Sequence, residues 1–146
     1  MNLATLRAEL LRKIMSIDKH AGNVILLRTA SLTLLIALAL AWCLAFTSYT
    51  DIPLFVETFK NKDSLLSAHL DYLMMTMLLL GFYASKITLP KYVLWAMAVG
   101  SFTNPSFFVL GALSGDGQAL ILPPLIFIGL LYSSFTLTTF GYGMAA

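Results

Sequence analysis

Four long apolar segments dominate the sequence and limit what the chain can fold into. They run over about 29–48, 65–85, 92–113 and 119–140. Each has about 20 residues, the length that a helix needs to cross a hydrocarbon layer of about 30 Å. We expect helices, because lipid offers the backbone no hydrogen-bond partner and four segments are too few for a closed barrel. The sequence therefore predicts an all-α, integral membrane four-helix bundle, with residues 1–146 as a single membrane domain.

The charge content agrees with a membrane protein. Only 11% of the 146 residues are charged, whereas a soluble domain usually has about 25%. The net charge of +2 is too small to argue for a nucleic-acid partner. The single cysteine, Cys43, lies in an apolar segment and cannot form an internal disulfide or a multi-cysteine metal site.

Residues 1–28 have a different pattern. Leucine and isoleucine recur there at helical spacing, with charged residues between them, at Leu3, Leu6, Leu10, Ile14 and Ile17. This pattern predicts a short N-terminal amphipathic helix that lies at the membrane surface and leads into the first span. The alternative is a soluble helix packed on the rest of the domain.

The basic residues predict the orientation in the membrane. Five precede the first span and two lie between spans two and three: Arg7, Arg12, Lys13, Lys19, Arg28, Lys86 and Lys91. Only Lys60 and Lys62 lie on the opposite side. Because Lys and Arg concentrate in cytoplasmic segments, we expect both termini in the cytoplasm, with the bacterial inner membrane as the location.

Polar side chains inside the spans are the candidate functional residues, because they are costly there. The stretch LLSAHLDYLMM, at the start of span two, contains His69 and Asp71. A single axial histidine is enough to hold a haem iron. No second histidine, cysteine or carboxylate stands three or four residues from His69, so the spacing does not predict a zinc or di-iron site within this helix. The alternative for His69 is an interfacial histidine that hydrogen-bonds a neighbouring helix.

The segment SFTNPSFF in span three is the second polar stretch. With span two entering from the outer side, His69 lies about 6 Å and Asn104 about 13 Å below the outer boundary. We therefore expect this segment to face His69 across the bundle. Asn104 is either an interhelical hydrogen-bonding group or a donor in a pocket. Pro105 has no N–H for the carbonyl of Ser101, which predicts a kink.

Asp71 stands two residues after His69, so its side chain points to another face of the helix. We expect it to pair near the surface with Lys60, Lys62 or a neighbouring subunit.

Three short stretches resemble the family of styrene oxide isomerase and hydroxylaminobenzene mutase. They are KHAGNVILL before span one, AHLDYLMMTMLLLG in span two and TNPSFF in span three. The second is similar to the mutase-type pattern AHLEGLMNGMFL, with Asp71 at the acidic position.

The resemblance implies a homotrimer that holds haem b at subunit interfaces. His69 matches the iron ligand and Asn104 matches the asparagine of span three. The implied activity is an isomerase for a small apolar substrate, in which ferric iron acts as a Lewis acid on an epoxide oxygen and a hydride shift gives the aldehyde. Tyr72 shares a helix face with His69 and is the candidate for a further catalytic hydroxyl.

Two positions depart from the family. Its asparagine six residues after the histidine is replaced by Met75, and the isomerase's pocket tyrosine is replaced by Phe108. A non-catalytic small membrane subunit of a larger complex is therefore the alternative. A small transporter is a third reading, although the spans show no paired broken helices.

Overall fold

In a computed structural model, all of the regular secondary structure in the part of the chain that the structure describes is α-helical. That part covers residues 3–21, 23–50, 52–114 and 123–146, with the side chains of 13–21 and 124 excepted. The helices are α1 (Leu3–Ala21), α2 (Val24–Tyr49), α3 (Pro53–Thr58), α4 (Lys62–Ser85), α5 (Lys91–Ser114) and α6 (Pro124–Ala145). The all-α prediction is confirmed.

Four of these helices, α2, α4, α5 and α6, are long and apolar enough to cross a membrane. The four predicted spans are therefore confirmed as helices, and their bounds differ from the prediction mainly at the N-terminal ends. Helix α2 begins at Val24, five residues before the predicted start, and α4 begins at Lys62, three residues before it. A helix continues for as long as its backbone hydrogen bonds are made, and this can be beyond the hydrocarbon layer. Hydropathy identifies only the apolar part of such a helix.

The fourth span differs most from its prediction. Helix α6 begins at Pro124 and ends at Ala145, whereas the predicted span was 119–140, of which residues 119–122 lie outside the described residues. With the predicted start at residue 119, Pro123 and Pro124 would lie inside the first turns of the helix and loosen them. They stand instead at its beginning, where a missing N–H leaves no bond unmade.

The ends of α4 are determined by single residues. Asn61 caps the N-terminus, because its Oδ1 accepts a hydrogen bond from the backbone N–H of Ser64 at 3.0 Å. Lys86 ends the helix in the left-handed conformation with φ 58°, and its N–H donates to the carbonyl of Tyr83.

Helix α4 has α2 and α5 as neighbours, and α6 packs on α5. Two clusters of buried apolar residues lie between these helices. One contains Leu26, Ala30, Leu79, Val93, Leu94, Met97 and Ala145. The other contains Ala37, Leu40, Leu65, Ala68, Tyr72 and Ala112.

Glycines allow α5 and α6 to approach closely. A Cβ atom added to Gly100 would lie 2.5 Å from Thr138 Oγ1 and 2.9 Å from its Cα. A Cβ added to Gly141 would lie 2.8 Å from the backbone N of Met97. Small residues that bring backbones together are the usual means of packing helices in lipid, where no hydrophobic force drives helices together.

The outer surface of the bundle is apolar. Many large aliphatic and aromatic side chains are exposed on it, among them Leu125, Trp42 and Met77. In water such a surface would promote aggregation, whereas in a bilayer it contacts lipid. The described side chains of α1, from Leu3 to Arg12, are exposed as well.

Candidate functional site

His69 lies on α4 and is half-buried. Its Nδ1 lies 2.8 Å from the backbone carbonyl oxygen of Ala37 on α2. Because a carbonyl can only accept, Nδ1 carries the hydrogen and donates it, which leaves Nε2 of a neutral ring as an acceptor. The ring therefore faces α2, and not α5 as the depth estimate suggested.

This arrangement is typical of a histidine that binds a metal. Metal-ligating histidines usually donate their second ring N–H to a carbonyl or carboxylate, which fixes the orientation of the ring. The same hydrogen bond is what the alternative, an interfacial histidine that joins two helices, predicts. The exposed side chains next to His69 and Ala37 along their helices, Leu66, Leu70 and Leu38, are apolar.

Asp71 pairs with Asn104 between α4 and α5. The Nδ2 of Asn104 donates to Oδ2 of Asp71 at 3.0 Å. Both side chains are buried, with 9% and 7% of their surfaces exposed. The expectation that Asp71 pairs with Lys60 or Lys62 is wrong, because Asp71 faces the bundle interior.

The side chain of Lys62 is engaged elsewhere. Its Nζ donates to the backbone carbonyl of Thr47, at the end of α2, at 2.6 Å. This bond joins the C-terminal end of α2 to the N-terminal end of α4, since Thr47 and Lys62 lie in the last and first turns of those helices.

Asn104 has an atom without a partner. Its Oδ1 is buried and accepts no hydrogen bond from any described residue. Asp71 lies nine residues into α4, about 13 Å along the axis, and Asn104 lies ten residues, about 15 Å, from the end of α5. The pair therefore lies near the middle of both spans.

Tyr72 is also buried, with 2% of its surface exposed. Its hydroxyl lies 2.8 Å from Ser106 Oγ and donates to the carbonyl of Phe102 at 3.3 Å. One turn further on, the hydroxyls of Thr76 and Thr33 lie 2.8 Å apart between α4 and α2.

The structure places the three predicted site residues at three separate contacts. His69 bonds to α2, Asn104 to Asp71, and Tyr72 to Ser106. Successive residues turn by about 100° around a helix axis. His69 faces α2, whereas Asp71 and Tyr72 both face α5, so the face that we expected Tyr72 to share with His69 is divided between two neighbouring helices. The SFTNPSFF segment does face this part of α4, but it does so through Asp71 and Tyr72.

The two positions that depart from the resembled family have different surroundings. Met75 is buried inside the bundle, whereas Phe108 is exposed on its surface. Neither position supplies a polar group to the His69 contact. The side chain of His20, the other histidine, lies outside the described residues.

Asn104 was expected as a possible interhelical hydrogen-bonding group, but its pairing with Asp71 was not predicted. Both residues are polar groups near the middle of antiparallel neighbouring spans, and that shared depth is the signal that would have suggested the pair.

Among the described residues there is also no group of three or more histidine, cysteine, aspartate or glutamate side chains that could hold a metal ion together.

The fold and these contacts define a class, a small helical membrane protein with four candidate spans and polar side chains paired between them. No protein family, curated protein or solved structure matches the chain.

Proposed function

We propose that this protein is a membrane isomerase that binds haem b through His69. The observation that carries the proposal is the hydrogen bond from His69 Nδ1 to the Ala37 carbonyl. It holds the ring in one orientation and leaves Nε2 as the atom that would bind iron. Because the ring is half-buried, part of it is open to a ligand at the surface of the α2–α4 pair.

The surroundings of His69 suit a porphyrin. A macrocycle that is flat and largely apolar is best accommodated by apolar side chains around one ligating imidazole. Leu38, Leu66 and Leu70 are exposed beside the contact and supply such a surface. A second copy of the chain over this face would enclose the cofactor, which agrees with the homotrimer that the resemblance implies.

Bound haem would supply Lewis acidity toward the oxygen of a small apolar substrate such as an epoxide. The role of the protein is to hold the haem, exclude water and admit the substrate. The Ala37 carbonyl orients His69, and the apolar outer surface of α2 and α4 gives an apolar substrate access from the bilayer. The exclusion of water by lipid strengthens electrostatic interactions at such a site.

The catalytic roles proposed for Asn104 and Tyr72 rest on the resemblance. Within one chain both side chains are already bonded, Asn104 to Asp71 and Tyr72 to Ser106. To touch a substrate at the His69 surface, either side chain would have to give up that bond. His69 is therefore the residue that the geometry supports most.

We also propose that both termini lie in the cytoplasm, with the bacterial inner membrane as the location. The positively charged residues support this orientation, because seven of the nine lie before span one or between spans two and three. Reporter fusions at residue 146 and in the 86–91 connection should both report the cytoplasmic side. A periplasmic signal from either would contradict the orientation.

The decisive experiment for haem binding is optical. The purified protein, supplied with haem in detergent and then separated from unbound haem, should retain a Soret band that is lost in His69→Ala and returns when imidazole is present during the haem loading. Thr76→Val is the matched control, because it removes a bond between α4 and α2 without touching the ring. A folded wild-type protein that retains no haem after this separation would contradict the proposal.

The second candidate function is that of a non-catalytic small subunit in a larger membrane complex. It is favoured by the two apolar residues, Met75 and Phe108, at the family's polar positions. Purification in a mild detergent distinguishes the two functions. A stoichiometric larger partner supports the subunit, whereas a stable homotrimer alone counts against it.

A further inference from the structure

We propose that Asp71 and Asn104 form a binding site for a small monovalent cation inside the bundle. The site is separate from the His69 contact and does not depend on haem binding. His69 and Asp71 lie on different faces of α4, since the ring of His69 bonds to α2 and the carboxylate of Asp71 bonds to α5.

The carboxyl group of Asp71 supports a positively charged ligand. Asp71 is a buried carboxyl group near the middle of α4, and within the described ranges no lysine, arginine or histidine side chain contacts it. Ionisable residues inside membrane spans usually pair with an opposite charge or line an ion pathway. Asn104 donates one hydrogen bond but brings no positive charge, so an ionised Asp71 would take its counter-charge from a ligand.

The orientation of Asn104 also points to a ligand. Its amide nitrogen faces the carboxylate, which leaves Oδ1 buried and without a donor in the described chain. Buried polar atoms are almost always paired, so an unpaired oxygen beside a carboxylate points to a ligand. Only a donor or a cation can satisfy that oxygen and the carboxylate together.

The backbone of α5 offers a third oxygen one turn before Asn104. Pro105 lies inside α5 and has no N–H, so the carbonyl of Ser101 lacks its usual donor four residues on. Ser101 stands one turn before Asn104, and its own hydroxyl is engaged with Tyr142 at 2.6 Å. Backbone carbonyls without a helical donor are known sodium ligands in membrane transporters, where they occur at unwound parts of helices.

The set of ligands selects the class of ion. A carboxylate, an amide oxygen and a backbone carbonyl are the hard oxygen ligands that alkali and alkaline-earth cations prefer. A single carboxylate balances one positive charge, which favours a monovalent ion over a divalent one. The proposal therefore takes Na⁺ as the probe.

The test is equilibrium binding of radioactive Na⁺ to the full-length protein in detergent, with N-methylglucamine replacing Na⁺ at constant ionic strength. We expect saturable binding of one ion per chain, weakened about tenfold or more in Asp71→Asn. Asp63→Asn is the matched control, because it removes an exposed carboxylate from the first turn of the same helix. It should leave Na⁺ binding unchanged.

Two further variants keep the outcome decisive. Asn104→Ser removes the amide oxygen and should weaken Na⁺ binding. This variant tests the site if Asp71→Asn does not fold. His69→Ala should bind Na⁺ as the wild type does, which separates this site from haem binding. No saturable binding to the folded wild type, or binding that is equal in the wild type and Asn104→Ser, would overturn the proposal.

Discussion

Asn104 on α5 donates a hydrogen bond to the carboxylate of Asp71 on α4, with Nδ2 and Oδ2 3.0 Å apart. This bond joins two candidate spans near their midpoints, where water is scarce and a polar group has few alternative partners. The pair therefore contributes to the stability of the α4–α5 interface as well as to the proposed cation site.

Asn104→Leu should destabilise the protein by about 2 kcal/mol, because a buried carboxyl group loses its hydrogen-bond donor. The measurement is unfolding by SDS in mixed micelles. Thr103→Val is the comparison, since it breaks the bond between Thr103 and Ser134, 2.7 Å apart, and should cost only about 0.6 kcal/mol. Equal losses in the two variants would show that the carboxyl group makes no special contribution.

Gly141→Ala should weaken the packing of α6 on α5. Its new Cβ would lie 2.8 Å from the backbone N of Met97, which cannot move independently of α5. Overpacking of this kind costs about 1–3 kcal/mol. Gly129→Ala lies on the same helix with nothing within 4 Å of the new Cβ, and it should be neutral or slightly stabilising. The two variants are compared by SDS unfolding, and a neutral Gly141→Ala would contradict the close approach.

Lys86→Gly should raise the thermal stability of the protein. Lys86 has a φ of 58°, and the left-handed conformation costs a residue with a Cβ about 1–2 kcal/mol. Glycine removes most of that cost, although it also increases the entropy of the unfolded chain, so the net gain should be about 1 kcal/mol. Lys86→Ala is the control, because it removes the same charge and keeps the Cβ. A gain of the same size in Lys86→Ala would assign the effect to charge.

Lys62→Gln should weaken haem binding if His69 is the iron ligand. Lys62 lies seven residues before His69, two turns away on the same face of α4 and about 10 Å along the axis. Its ammonium group stands at the N-terminal end of α4 and donates one hydrogen bond to the Thr47 carbonyl. An ammonium group has three N–H donors, so a second one could pair with a propionate of haem. An exposed ion pair is worth up to about 1 kcal/mol, so the affinity should fall by at most about fivefold.

The measurement is titration of the protein with haem, followed by Soret absorbance. Lys91→Gln is the control, because Lys91 begins α5 at the opposite end of the bundle. A similar loss in the two variants would point to a general effect of charge. An unchanged affinity in Lys62→Gln would place the propionates elsewhere.

The sequence by itself determined that the chain is all-α and has four long apolar helices. Lipid forces each span to satisfy its own backbone hydrogen bonds, so length and hydropathy are enough to identify a helix. The sequence also identified His69, Asp71, Tyr72 and Asn104 as the polar residues to examine, because polar side chains are rare inside spans.

Only the tertiary structure decided which helix each of these side chains meets. His69 was expected to face α5 and bonds to Ala37 on α2, whereas Asp71 was expected to meet a lysine and meets Asn104. The partner depends on which helix packs against each face of α4, and a turn of about 100° per residue sends neighbouring side chains to different helices. Side chains that face lipid and side chains that face another helix are both apolar, so hydropathy does not predict which helices pack against each other.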